Sequence, residues 1–565
     1  MKASDVMVKC LENEGVEYIF GIPGEENIDL MDSLRESKIK FVTTRHEQGA
    51  AFMADVYGRL TGKAGVCLAT LGPGATNLVT GVADANLDKA PLVAITGQAG
   101  LERMHKESHQ YMDVVHMFEP ITKWNARIHS IDIIPEVVRK AFRIAQAEKP
   151  GATHIELPED VAKSEVPEEF ATPIPISEFP KTHPEREEID RAKALIRSAK
   201  FPVILAGNGV IRAHASHELV HFAEMNNIPV ANTFMAKGAI PSNHPLSIST
   251  IGLQANDYVL CEISKADLII AIGYDLAEYS PAKWNPDRDK KVLVIDSQPA
   301  EVDSHMTIAH ELVGDIRQIL RSLGGTRIIE RSSEYARTLK KIIEEERDSY
   351  RNDSSFPMKP QKIILDIRAA MKEEDILISD VGAHKLWIAR MYPAYKPNTC
   401  IISNGFASMG IAIPGAIGAK LAKPHLKVVA ATGDGGFLMN SQELETAKRL
   451  GLSFVVIIFN DSRYGVIEWK QMKTFGRSTA VEFTNPDFVK YAESFGAKGV
   501  RIRSADELLP ALKAALDSKD IWVIDVPVDA SENLRLQKML ERNVCPPDET
   551  NINEPAQWKV RNQSR

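Results

Sequence analysis

A chain of 565 residues with 44% hydrophobic and 25% charged residues is a folded protein of about three or four domains, which excludes disordered and fibrous classes. Its net charge of −8, without a long basic run, argues against nucleic acid or a membrane surface as partner. The five cysteines (Cys10, Cys67, Cys261, Cys400, Cys545) follow no CxxC spacing, which points to a reducing compartment and no zinc site. No apolar run approaches a membrane span, and the amphipathic first residues carry Asp5, unlike a signal peptide, so a cytoplasmic enzyme is expected.

Residues 1–166 alternate apolar strands with helices and are expected to form a first domain. A helix is predicted over 4–14 with Ser4 as its N-cap, and strands over 17–20, 41–44, 65–70, 92–96 and 154–157. Glycine-rich or polar turns follow several strands: Gly21-Ile22-Pro23-Gly24, Arg45-His46-Glu47-Gln48 and Gly72-Pro73-Gly74-Ala75-Thr76-Asn77. Residues 167–188, rich in Pro, Glu, Ser and Thr, read as a linker. A central domain is expected over 189–348, with strands at 202–206, 266–272 and 292–295. Its Gly207-Asn208-Gly209 lacks the third glycine of a dinucleotide fingerprint, so structural filler is the favoured reading there. A second linker precedes a third domain over 359–528, and 529–565 is expected to be a C-terminal tail, loosely held from Cys545 onward.

The third domain holds the most informative stretch. Apolar runs at 428–431 and 454–459 read as buried strands, joined by a helix over 441–449 whose Glu443 and Glu445 come early and Lys448 and Arg449 late, as the helix dipole favours. A strand–helix–strand unit of this kind is parallel, so both strands end on one edge of the sheet. Gly433-Asp434-Gly435-Gly436 breaks the chain after the first strand, and Asn460-Asp461 ends the second. Two carboxylates converging beside glycine backbone suit a hard divalent cation that leaves positions open for phosphate oxygens, as Mg2+ does.

Three α/β domains with an early Arg-His-Glu-Gln and a late Gly-Asp-Gly…Asn-Asp resemble the thiamine-diphosphate-dependent enzymes across nearly the whole chain. The segments at 21–24, 45–48, 72–77, Pro120-Ile121-Thr122-Lys123 and 433–436 resemble acetolactate synthases in particular. Within them, the FAD-free catabolic branch is nearer: His109-Gln110-x-x-Asp113 and Tyr274 with Tyr279, Pro281, Trp284 and Asn285 match it, and the Arg-Phe-Asp-Asp-Arg run of FAD-binding members is missing.

The resemblance implies three consecutive open parallel-sheet domains (pyrimidine-binding, central and diphosphate-binding) and thiamine diphosphate with Mg2+ as cofactors, without FAD. It implies Asp434, Asp461 and the Arg463 carbonyl as metal ligands. Gly382, Ala383, His384, Ser408, Gly433, Gly435, Gly436, Tyr464, Gly465 and Val466 would line the cofactor, with Met409 beneath it. Pro23, Gly24, Thr70, Gly74 and Asn77 would line it from the first domain of a second copy, whose Glu47 would hydrogen-bond the pyrimidine N1′. Gln110, and with it Lys123, would face the substrate. The implied reaction is decarboxylation of pyruvate and ligation to a second pyruvate, giving 2-acetolactate. A homodimer or dimer of dimers acting on small 2-keto acids follows, and a regulatory small subunit stays open. After the metal residues the chain departs from the catabolic pattern: Val466 replaces a methionine, and Lys470 stands where a glutamine meets the acceptor. A related 2-keto acid decarboxylase or a pyruvate oxidase therefore remains the alternative.

Overall fold

The computed structural model of the chain describes residues 1–253, 257–331, 333–542 and 545–546. It contains three six-stranded sheets, and every pairing within them is parallel. The strands lie where the sequence has short apolar runs, and most inner strands are buried on both faces, as helix-covered parallel sheets require.

In spatial order the first sheet is Lys40–Thr43, Tyr18–Gly21, Gly65–Ala69, Leu92–Gln98, Ala152–Pro158 and Trp124–Arg127. The second is Thr307–Val313, Lys291–Asp296, Leu268–Ile272, Pro202–Ala206, Val230–Asn232 and Ser247–Thr250. The third is Cys400–Ile402, Ile376–Ser379, Val428–Gly433, Val455–Asn460, Trp522–Pro527 and Lys498–Arg501. The first and third sheets share one strand order and the second has another. In each, the direction of winding reverses beside the first strand of that sheet in sequence, and the crevice beyond the strand ends at such a reversal is where open α/β sheets bind ligands.

The first and third sheets share a core. The helix Glu47–Thr61 lies on the helix Ala412–Ala422, where small residues let the two backbones approach, and one cluster of buried side chains runs from Phe20 through Ala54 to Ile417 and Val456.

Several expectations are corrected here. The first helix spans Ala3–Asn13 and its N-cap is Lys2, whose amide donates to Asp5 Oδ2 at 2.9 Å; Ser4 lies inside the helix, buried, and accepts from Ser33. The break after Gly433 is brief, because a helix starts at Asp434 and runs to Asn440. The boundary drawn after Val528 detaches the helix Ser531–Arg542, whose Leu536 and Leu540 are buried in the core of the third sheet. Cys261 is disulfide-bonded to Cys545, unlike what a reducing compartment favours and at the point where the loosely held tail is expected to begin, while Cys10, Cys67 and Cys400 are buried thiols. Beyond Pro546 the expected tail lies outside the described residues. Among the described residues no helix is long and apolar enough to cross a membrane.

Candidate active site

A cavity of about 550 Å3 opens at the reversal point of the third sheet. Gly433 pairs in register with Phe459, so Asp434 and Asp461 leave neighbouring strand ends on the same edge. Both line the cavity, together with Gly382, Ala383, His384, Met409, Gly435, Gly436, Arg463, Tyr464, Gly465 and Val466. Asp434 is buried; its Oδ2 accepts from Ser462 N at 2.6 Å and Asn485 Nδ2 at 2.8 Å. Burial, and then the neighbouring charge of Asp434, push the Asp461 carboxyl up to about 7. Two carboxylates at adjoining strand ends, one of them raised by the other's charge, make an arrangement that can hold a cation.

Burial pushes the His384 imidazole down to about 3, and its buried Nε2 has no hydrogen-bond partner within the chain. A neutral ring with an unsatisfied nitrogen at the wall of a cavity can serve an oxygen of a bound group. Asn485 was not marked in the sequence, yet its amide ties together Asp434, Asn460 and Ser462, and its buried Oδ1 is also unsatisfied. Asn533, assigned to the tail, also lines the cavity and accepts from Trp387 Nε1 at 2.8 Å. Ser408 stands behind the wall, with its amide aimed at Asp84.

The first sheet gathers a second group at its own reversal point. Asn77 Nδ2 donates to Glu47 Oε2 at 3.0 Å. A Cβ on Gly74 would come 3.4 Å from Glu47 Oε1 and 2.9 Å from Thr70, and one on Gly24 would collide with the Thr70 side chain. Thr70 Oγ1 donates to Glu26 at 2.8 Å. Pro23 is exposed beside Gly24. Gln110, with φ +56, lies over Gly72, where a Cβ would come 2.5 Å from the Gln110 carbonyl oxygen. None of these residues lines the cavity of the third sheet.

The turn that carries Glu47 is held from the third sheet's side. Glu443 is fully buried and its Oε1 accepts from the amides of Arg45 and His46, each at 3.0 Å; burial pushes its carboxyl up to about 7. Its work is thus to grip that turn, beyond any helix-dipole effect. Lys123 is elsewhere: its Nζ donates to the carbonyls of Ile144, Ala147 and Lys149 at 2.7–3.0 Å, around the C-terminal end of the helix Ile134–Gln146. A long flexible stem lets it reach carbonyls that the helix leaves without partners.

At the reversal point of the central sheet two backbone segments pack closely. A Cβ on Gly209 would come 2.6 Å from Gly273 Cα, and Gly209 N donates to the Gly273 carbonyl at 2.8 Å. Glu278 occupies the adjoining helix start, accepting from Asn208 N at 3.0 Å and from Thr233. The glycines of 207–209 thus serve backbone packing. Tyr274, Tyr279 and Trp284 form a buried cluster beside them, with Trp284 Nε1 donating to the Tyr274 hydroxyl at 3.2 Å.

The chain matches family models described as the thiamine pyrophosphate enzyme N-terminal TPP-binding domain over residues 1–117, central domain over 189–323 and C-terminal TPP-binding domain over 380–526. It is 37% identical to a probable acetolactate synthase large subunit of Methanocaldococcus jannaschii over 94% of this chain and 93% of that one. It is 37% identical to the acetolactate synthase of Bacillus subtilis over 95% of this chain and 94% of that one. It is likewise 37% identical to the catabolic acetolactate synthase of Raoultella terrigena over 95% and 97% respectively.

Proposed function

The chain belongs to the thiamine pyrophosphate enzymes and, within them, to the acetolactate synthases, which condense two pyruvates to 2-acetolactate and CO2; we propose that it does so with Mg2+ at Asp434 and Asp461 and with each active site completed by Glu47 of a second copy. The observation that carries this reading is the pair of acids at adjoining strand ends, where Asp434 raises Asp461 and a cation relieves the repulsion. The Arg463 carbonyl is the third ligand in this reading. His384, with its unsatisfied Nε2, and the backbone of Gly382 and Ala383 would hold the diphosphate, and Met409 would support the cofactor. Thiamine diphosphate, when bound, supplies the carbanion chemistry, and the chain supplies orientation and proton control.

Glu47 would hold a proton toward the pyrimidine of a bound cofactor. Its carboxyl is buried, steadied by Asn77, and set on a turn that Glu443 holds rigid. Glu47 does not line its own chain's cavity, which supports an isologous dimer in which each first domain serves its partner's third domain. Gln110, at the rim of the first-domain half-site, faces substrate in the same arrangement. Lys283 and Lys470 line the cavity and suit an acceptor that carries a carboxylate, as a 2-oxo acid does.

The test is product analysis with pyruvate, Mg2+ and thiamine diphosphate. Branched 2-acetolactate released with CO2, from a protein without flavin absorbance, is the expected result. Acetaldehyde or acetyl phosphate in its place overturns the reading.

A further inference from the structure

We propose that Asp84 and Asp88, held in register by Arg59, are positioning residues for the loop that carries Met409, and that they set how tightly the chain holds its cofactor. The proposal rests on the reading of the third-sheet cavity as the cofactor site.

Arg59 lies near the C-terminal end of the helix Glu47–Thr61, and Asp84 near that of Pro73–Leu87, with Asp88 as its C-cap. The side chains of Asp55, Asp84 and Asp88 are fully buried and that of Arg59 is 9% exposed. Arg59 bonds both oxygens of Asp55 and reaches Asp88 Oδ2 at 2.9 Å and Asp84 Oδ2 at 3.4 Å. A planar guanidinium presents more donors than the three of a lysine, and here it reaches three carboxylates.

Asp84 and Asp88 also face the loop after Ile402. Ser403 Oγ donates to Asp84 Oδ1 at 2.7 Å and Ser408 N to the same oxygen at 3.3 Å. Asn404 N and Gly405 N donate to Asp88 at 3.1 and 2.6 Å. Lys385, pushed down to about 8 by burial but held up by Asp88 and Asp84, donates to the Ser403 carbonyl at 3.0 Å. At the far end, Gly410 N and Ala412 N donate to Asp380 at 2.8 and 3.1 Å. The loop is therefore gripped at both ends by buried carboxylates, and the residues between the grips, Ala407 and Met409, line the cavity.

Ala407 takes φ +60, a strained conformation for a residue with a side chain, which persists only where surroundings impose it. The two grips supply that constraint. The same helix pair carries Glu47 and Asn77 near its N-terminal ends, so in the proposed dimer one rigid unit serves the chain's own Met409 loop and the partner's pyrimidine. Glu47 and Arg59 stand 12 residues apart on one helix, about 18 Å along its axis.

The experiment compares wild type with Ser403→Ala and Asp88→Asn, measuring the thiamine diphosphate Kd by quenching of tryptophan fluorescence, the pyruvate KM at saturating cofactor, and Tm. Asp88→Asn is expected to weaken cofactor binding about tenfold, the factor that ~1.4 kcal/mol represents. Ser403→Ala removes one bond and is expected to weaken it about threefold, with pyruvate KM unchanged in both variants. A lower Tm with wild-type cofactor affinity in both variants overturns the positioning role and leaves the family reading intact. A wild-type chain that binds no thiamine diphosphate removes both.

Discussion

Replacing Glu443 with alanine withdraws the acceptor of the Arg45 and His46 amides and the partner of the Thr446 hydroxyl. An unsatisfied amide costs about 1–3 kcal/mol, and the low end applies here because water reaches the partly buried turn, so the two amides cost ~2 kcal/mol. Lost packing of the side-chain methylenes adds ~1 kcal/mol, giving about 3 kcal/mol in all. The assay is amide exchange of a peptide spanning the turn, together with denaturant unfolding. Faster exchange at Arg45 and His46, with lower stability, is expected. Glu443→Gln, which keeps an acceptor oxygen, should lose less.

The pH dependence has a defined sign. A carboxyl raised from 4.5 to about 7 on folding binds its proton more tightly in the folded state, so this group's contribution to stability falls as pH rises between those values. The window amounts to about 3 kcal/mol, and Glu443→Gln should flatten that part of the profile. Exchange at the turn unchanged by Glu443→Ala would refute the assigned grip.

Three further outcomes are expected. Lys123→Met should lower stability through three unpaired carbonyls while leaving kcat and pyruvate KM within about twofold of wild type, because its ammonium caps a helix; a large fall in kcat alone would return it to the substrate. Gly273→Ala, at φ +57 with a Cβ 2.6 Å from Gly209 Cα, should cost about 1–3 kcal/mol or more in unfolding experiments, and an unchanged midpoint would contradict the backbone packing described. Asp434→Ala should abolish Mg2+-dependent retention of thiamine diphosphate in equilibrium dialysis, and retention equal to wild type would remove Asp434 from the metal site.

What was legible in the sequence lies on continuous apolar runs and the turns that follow them. Strands at 428–431 and 454–459 could be read because both faces are buried, and Asp434 and Asp461 because they follow strand ends. The strands not marked were Trp124–Arg127, Val230–Asn232, Ser247–Thr250, Thr307–Val313, Cys400–Ile402 and Lys498–Arg501. All but the three-residue Val230–Asn232 lie at sheet edges, where partial exposure or short length breaks the apolar signal. The gripping residues were hidden for another reason. Glu443 meets the His46 amide across 397 residues and Asp84 meets Ser403 across 319, and no local pattern marks such a partner. Asn485 follows no strand or glycine turn, and Asn533 sits on a helix that reads as a tail. The three carbonyls that Lys123 meets are not legible either, because a sequence position does not show which way a long side chain folds back.

Mixing two inactive variants tests the shared site most directly. Glu47→Gln retains Asp434 and Asp461, and Asp434→Ala retains Glu47, so a hybrid dimer of the two contains one intact site. Unfolding and refolding them together in equal amounts should restore acetolactate formation to about a quarter of the wild-type rate, since half of the dimers are hybrids with one working site of two. Activity no higher than the sum of the two separate variants would contradict an active site assembled from the third domain of one copy and the first domain of another.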